Sequence, residues 1–223
     1  MVTGRQQQAA EALASVAGKP SDVASESTGL PVLPALQGLL PMLRRGQVVE
    51  VDGSGALSLA LLAGASQSGS WCGVVGMPEG GMLAASEMGC DLDRLLLVDH
   101  PGDRWVDVTA ALLEAVDVVL LRPPVRPQTG VVRRLVALAR KSGSMLIAAG
   151  AWEGSSVRLR VESSLWTGLE HGHGHLRGRR VKIVAEGRGA GGRPRSAWVW
   201  LPGPDGSVSP AELAVVHDSA EVA

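Results

Sequence analysis

Five short apolar runs, each about the length of one strand and separated by helix-forming segments, restrict this chain to very few architectures. They are residues 47–52 (QVVEVD), 71–75 (WCGVV), 95–99 (LLLVD), 117–121 (DVVLL) and 145–149 (MLIAA). A strand buried on both faces reads as a nearly continuous apolar run, whereas a strand with one wet face alternates. Helical patterns fall between the runs: residues 56–64 (ALSLALLAG), a turn or two around 82–88, residues 105–115 and residues 131–141. In the third of these, Val108, Ala111, Leu112 and Ala115 recur at helical spacing; in the fourth, Arg133, Arg134 and Arg140 mark the polar side. Residues 122–130 (RPPVRPQTG) must form a loop, because their prolines supply no ladder donors. The pattern predicts an α/β fold with a mostly parallel sheet flanked by helices.

Beyond Gly150 the period changes to two. Residues 157–161 (VRLRV), 180–185 (RVKIVA) and 197–201 (AWVWL) alternate polar with apolar side chains between Gly-rich turns, and predict antiparallel strands added at the C-terminal side. The 223 residues divide into a short helix at 5–17 with a linker (1–29), a core (30–202) and a tail (203–223). The tail carries one apolar patch, Leu213, Val215 and Val216, a candidate partner-binding segment.

With a net charge of −1, no global field draws the chain to nucleic acid or an anionic membrane. The charge is uneven, since residues 151–200 hold nine Lys and Arg against four acids. That stretch is either a weak nucleic-acid face or a set of solvated strand faces. The apolar stretch 30–43 is broken by three prolines and is too short to span a bilayer, and the first residues lack the build of a signal peptide. A cytoplasmic protein is expected, in which Cys72 and Cys90 are reduced core thiols.

The first apolar run ends in Asp52, Gly53, Ser54 and Gly55 and leads straight into a helix, the setting of a loop that cradles phosphate. Such a loop needs a Lys for the outer phosphates and a Ser or Thr for magnesium, yet Ala56 and Leu57 follow Gly55. Ser58 lies one residue too far along, and no lysine occurs between Lys19 and Lys141. Asp52 at the mouth repels phosphate. The fourth apolar run, which should end in a metal-holding Asp, ends in Leu121 and Arg122, with Asp117 at its wrong end. Lacking Lys, Thr and Asp, this vestigial loop is expected to hold no cofactor and catalyse nothing.

Residues 39–61 (LLPMLRRGQVVEVDGSGALSLAL), 72–98 and 115–122 (AVDVVLLR), with VRLRV and RRVKIVAEG further on, resemble in order and spacing the core of bacterial RecA-like proteins. The likeness runs over residues 36–201 and implies a RecA-like core with a degenerate nucleotide site. Within that superfamily the chain looks like the shortened ImuA′ proteins of actinobacterial damage-inducible mutagenesis cassettes. The resemblance implies SOS-induced translesion synthesis. The implied partners are ImuB, an inactive Y-family polymerase, and through it the sliding clamp and an error-prone C-family polymerase. It also implies location at the nucleoid on damage. Alternatives from other classes are a SulA-like cell-division inhibitor and a divergent DNA-stimulated ATPase.

In the resemblance, 122–130 and 151–156 (AWEGSS) are the remnants of two DNA-binding loops. Arg122, Arg126, Arg133 and Arg134 are therefore candidate DNA contacts, and weak DNA contact and self-association are possible further interactions. Glu79 falls near the position of a RecA-like catalytic Glu, but reads here as a surface carboxylate. His171, His173 and His175 alternate with glycines and lack a fourth ligand nearby, so they read as an exposed hairpin loop with no metal.

Overall fold

A computed structural model describes residues 29–170 and 173–211. The helix expected at 5–17, and Leu213, Val215 and Val216, lie outside the described residues. In chain order the elements are β1 (Gly29–Leu30), β2 (Leu43–Arg44), β3 (Val48–Asp52), α1 (Gly55–Gln67), β4 (Cys72–Val75), α2 (Met82–Glu87) and β5 (Leu95–Val98). These are followed by α3 (Trp105–Ala115), β6 (Val118–Leu121), α4 (Thr129–Ser142), β7 (Met145–Ala149), β8 (Val157–Glu170), β9 (His173–Glu186), β10 (Arg195–Trp200) and β11 (Ser209–Pro210).

The main sheet has the order β11-β10-β9-β8-β3-β7-β6-β4-β5. From β8 to β5 the pairing is parallel; from β8 to β11 it is antiparallel. The strand expected from each of the five apolar runs forms within a residue of its predicted ends, and the four that form β3, β4, β6 and β7 are apolar because both sheet faces are covered. On one face Val49, Val51, Val74, Leu120 and Ile147 pack against α1 and the leucines of residues 30–43. On the other, Val48, Val75, Val119, Leu121 and Leu146 pack against α3 and α4.

Helix α1 is apolar on nearly every side because residues 30–40 lie across its outer surface. Gly64 permits that crossing: a Cβ there would stand 2.6 Å from the Val32 Cα. Helix α4 is amphipathic instead, burying Val132, Leu135 and Ala139 and ending on Gly143 in the left-handed conformation (φ 70°).

Two features depart from the expectation. Strands β8 and β9 are 14 residues each, much longer than the runs 157–161 and 180–185, and form a hairpin reaching well beyond β10. Second, the tail assigned to 203–223 contributes β11 to the sheet: Val199 pairs with Pro210, and Ala211 is buried with its N–H bonded to the Trp198 carbonyl. A proline is tolerated there because β11 is an edge strand with no outer neighbour to receive a donor.

Candidate functional site: the vestigial phosphate loop

Strand β3 delivers the loop to the carboxyl end of the parallel strands, where ligands of open α/β sheets bind. Gly53 takes a positive φ (74°), and Ser54 caps α1, its hydroxyl accepting the Leu57 N–H at 3.2 Å. The loop has the shape of a phosphate cradle, but its side chains are committed elsewhere. Leu57 is fully buried among the core leucines of α1. Ser58 is also buried, its hydroxyl donating to the Ser54 carbonyl at 3.2 Å, a bond internal to the helix. Ala56 is half-buried, and Asp52 and Gly53 are exposed at the mouth.

Sequence reasoning placed no cation at this loop, but the fold supplies one. A Cβ on Gly55 would stand 3.5 Å from Arg122 Nη2, so the guanidinium at the end of β6 lies against the start of α1. Arg122 reaches it because Gly76, at positive φ (73°), lets the end of β4 run against the Arg122 carbonyl. Together with Gly55, Ala56, Met77, Glu79 and Gly80, Arg122 lines a cleft of about 230 Å³. Glu79 is exposed on its rim.

Asp117 stands just before β6, at the opposite end of the strand. Its Oδ1 accepts both Arg45 Nη atoms at 3.0 Å and its Oδ2 accepts the Trp71 N–H at 3.1 Å. It ties the approaches to β3, β4 and β6 together and takes no part in the cleft.

The four arginines singled out as DNA contacts do not form one surface. Arg122 turns to the loop; Arg126 faces Glu153 at 3.8 Å; Arg134 faces Asp107 on α3 at 3.5 Å; Arg133 is exposed on α4. The loop 151–156 is locked down: Trp152 is buried, Ser155 donates to Glu50 Oε2 at 3.0 Å, and Ser156 donates to the Val48 carbonyl at 2.8 Å. Glu50, the one buried carboxylate of β3, also pairs with Arg158 Nε at 3.0 Å.

Much of the basic charge of residues 151–200 is likewise paired. Arg160 lies 3.3 Å from Glu162 and 3.7 Å from Glu186, and Lys182 pairs with Glu162, whose carboxyl is held below its ordinary range by these cations. Arg180 lies over the Trp198 and Trp200 rings and Arg179 over Trp166. Of the histidine string, His171 lies outside the described residues, while His175 is exposed on β9. Among the described residues no group of His, Cys, Asp and Glu is arranged to hold a metal, and no helix is long and apolar enough to cross a membrane.

Comparison with known structures places the same architecture elsewhere. The RadB recombinase superposes with a TM-score of 0.58 at 15% identity, over 80% of this chain and 97% of that one. A KaiC-like protein of Pyrococcus horikoshii gives 0.50 at 12% identity, over 83% and 98%. At such identities the likeness is one of fold: α/β, RecA-like, with antiparallel strands added at one side. In sequence, an uncharacterized protein of Mycobacterium tuberculosis, Rv3395c, is 35% identical over 152 residues, covering 64% of this chain and 74% of that protein. Residues 38–154, just over half of the chain and including the whole vestigial loop, match the family described as the MT3502 N-terminal domain. The chain thus has a RecA-like fold, and it belongs to the MT3502 N-terminal domain family.

Proposed function

We propose that this protein is a non-catalytic RecA-like accessory subunit that acts by binding other proteins. Its place is in the damage-inducible mutagenesis complex, where it binds ImuB and through it reaches the sliding clamp and an error-prone C-family polymerase at the nucleoid. One observation carries the non-catalytic part. The position that should hold magnesium is Leu57, sunk in the core, and the nearest hydroxyl, Ser58, is spent inside its own helix. Hydrolysis requires the developing charge on the transferred phosphoryl group to be neutralised. Here no lysine lines the cleft beside Gly55, and Arg122 stands where β6 should end in a metal-holding Asp. The ImuB part rests on the sequence resemblance.

The test is co-expression with ImuB followed by affinity purification, beside calorimetric titration with Mg-ATP. Stoichiometric co-purification without ATP turnover is the expected result. Loss of ImuB binding removes the adaptor role; turnover that disappears on altering Gly55 removes the non-catalytic one.

One observation favours a second reading. Arg122 against Gly55 offers one cation to a phosphate at the helix start, enough for nucleotide binding without hydrolysis. On this reading nucleotide binds, Arg122→Ala abolishes the binding, and no phosphate is released.

A further inference from the structure

A second cleft lies at the other end of β3, away from the vestigial loop. It encloses about 430 Å³ and is lined by Arg44, Arg45, Arg140 and Arg188, with Gly46 and Ser156 on its walls. These arginines come from three places in the sequence and are brought together by close backbone packing. Strand β2 ends at Arg44 and turns sharply into β3, with the Arg44 N–H bonded to Gln47 Oε1 at 3.0 Å and Gly46 at positive φ (71°). Gly46 abuts the last turn of α4, where a Cβ would stand 3.1 Å from the Arg140 Cα. Arg188 opens the 3-10 turn after β9, and the Gly187 before it packs against Ser156, which is bonded to the Val48 carbonyl.

Three of the four arginines of this cleft are uncompensated. Arg45 is neutralised by Asp117, but Arg44, Arg140 and Arg188 have no carboxylate within ion-pair distance among the described residues, and no acid lines the cleft. On β8 and β9, by contrast, Arg158, Arg160 and Lys182 each face a carboxylate. Arg44, Arg140 and Arg188 are exposed at one opening, and their positive potentials add there, which favours an anion. Their planar forks match phosphate oxygens, which they can engage in pairs. No aromatic ring lines the cleft to stack a base and only Val48 and Val136 are apolar, so recognition falls on phosphate and not on nucleobase.

We propose that the Arg44–Arg140–Arg188 cleft binds the phosphodiester backbone of a nucleic acid, without sequence preference. The site is separate from the Arg122 cleft, and its proposal stands or falls independently of nucleotide or ImuB binding. The test is fluorescence anisotropy of the full chain with a labelled single-stranded oligonucleotide at several salt concentrations.

Replacing Arg44, Arg140 and Arg188 together by Ala is expected to weaken binding tenfold or more. The slope of log affinity against log salt should shrink by about 2, at roughly 0.7 per lost phosphate contact. The corresponding triple Lys variant keeps the charge and is expected to recover most of the affinity. Thermal melting of both variants shows whether they are folded, and Arg45 is left in place because it bonds to Asp117. An oligonucleotide that does not bind the native chain, or binds the Ala variant with unchanged affinity and slope, overturns the proposal. Displacement of the oligonucleotide by micromolar inorganic pyrophosphate at constant ionic strength overturns it in favour of a small free anion.

Discussion

The parallel and antiparallel halves of this sheet are built from the same kind of backbone but finished differently. From β3 to β4, both faces are covered: α1 and the leucines of 30–43 on one side, α3 and α4 on the other. From β8 to β11, only the first face is covered, by Leu159, Val181, Ile183, Ala185 and Val199 joining the α1 core. The opposite face carries Arg160, Glu162, Lys182 and Arg180 with Trp198 and Trp200 in place of a helix layer. Glu50 marks the seam, a buried carboxylate on β3 held by Arg158 of β8. The parallel half is closely packed on the faces of its central strands. The half that extends it exposes the side chains a partner can read.

That contrast is most directly broken at Leu57. If the loop merely lacks its catalytic side chains, installing them by Ala56→Lys with Leu57→Thr restores nucleotide chemistry at little cost. If the position belongs to the core, the threonine leaves a cavity and a buried hydroxyl. The expected loss is about 2–4 kcal/mol of stability, comparable to other large-to-small core changes. Urea denaturation measures the loss, and phosphate release from ATP is expected to stay at background. A stable, hydrolysing double variant would make the two halves functionally alike.

Asp117 tests the parallel half at its other end. Asp117→Ala leaves the Arg45 guanidinium and the Trp71 N–H without their acceptor, in a partly buried setting. A loss of about 1–3 kcal/mol is expected, the range for stranding buried donors. A parallel change at Glu186, exposed in the antiparallel ion-pair network, is expected to cost less than about 1 kcal/mol. Equal costs at the two sites would erase the distinction between a packed half and a solvated one.

Trp166 tests the antiparallel half alone. It is half-exposed near the far end of the β8–β9 hairpin, between exposed Leu165 and the Arg179 that lies over its ring. Trp166→Ala is expected to lower stability by only about 0.5–1 kcal/mol, the worth of an exposed cation–π contact. If the hairpin is where ImuB docks, the same variant reduces co-purified ImuB far more than it shifts the melting point, because Trp and Arg anchors dominate protein interfaces. A large stability loss with unchanged ImuB recovery would make the hairpin a structural element.

How much of this the sequence disclosed depends on which half is in view. The strands of the parallel half were legible because burial on both faces leaves an unbroken apolar signature, as in 117–121 and 145–149. The far half of the hairpin was not. Its segments SSLWTGLE and HGHGHLRG are polar, rich in glycine and free of clear alternation, so they read as turn. Residues 163–170 and 173–178 take their extended form from pairing with each other across a bulge near Gly168 (φ 101°). The missing Lys and Ser of the loop were readable directly from residues 52–58. Arg122 beside Gly55 was not, because the contact depends on how the ends of β4 and β6 meet. The cleft of Arg44, Arg140 and Arg188 was invisible for the same reason, its members lying far apart in sequence and meeting only through tertiary packing.

The smallest expected effect concerns the two thiols, which both belong to the α1 core. Burial pushes the Cys90 thiol up to about 11 and raises Cys72 further. In the unfolded chain each thiol ionises near its ordinary value of 9.0, so the folded state holds protons that the unfolded state releases above that pH. The thiols therefore favour the native state fully below pH 9, and this contribution declines as pH rises toward 11. A shallow loss of stability across that interval is expected, flattened in Cys90→Ala, and alkaline denaturation monitored by Trp fluorescence measures it. Reactivity toward a thiol reagent at neutral pH carries the comparison further. Opening of the β8–β9 hairpin leaves α1 and β4 in place, so labelling of Cys72 should track global unfolding. Labelling much faster than global unfolding would mean that the helix-covered half opens first, reversing the order of rigidity that the packing implies.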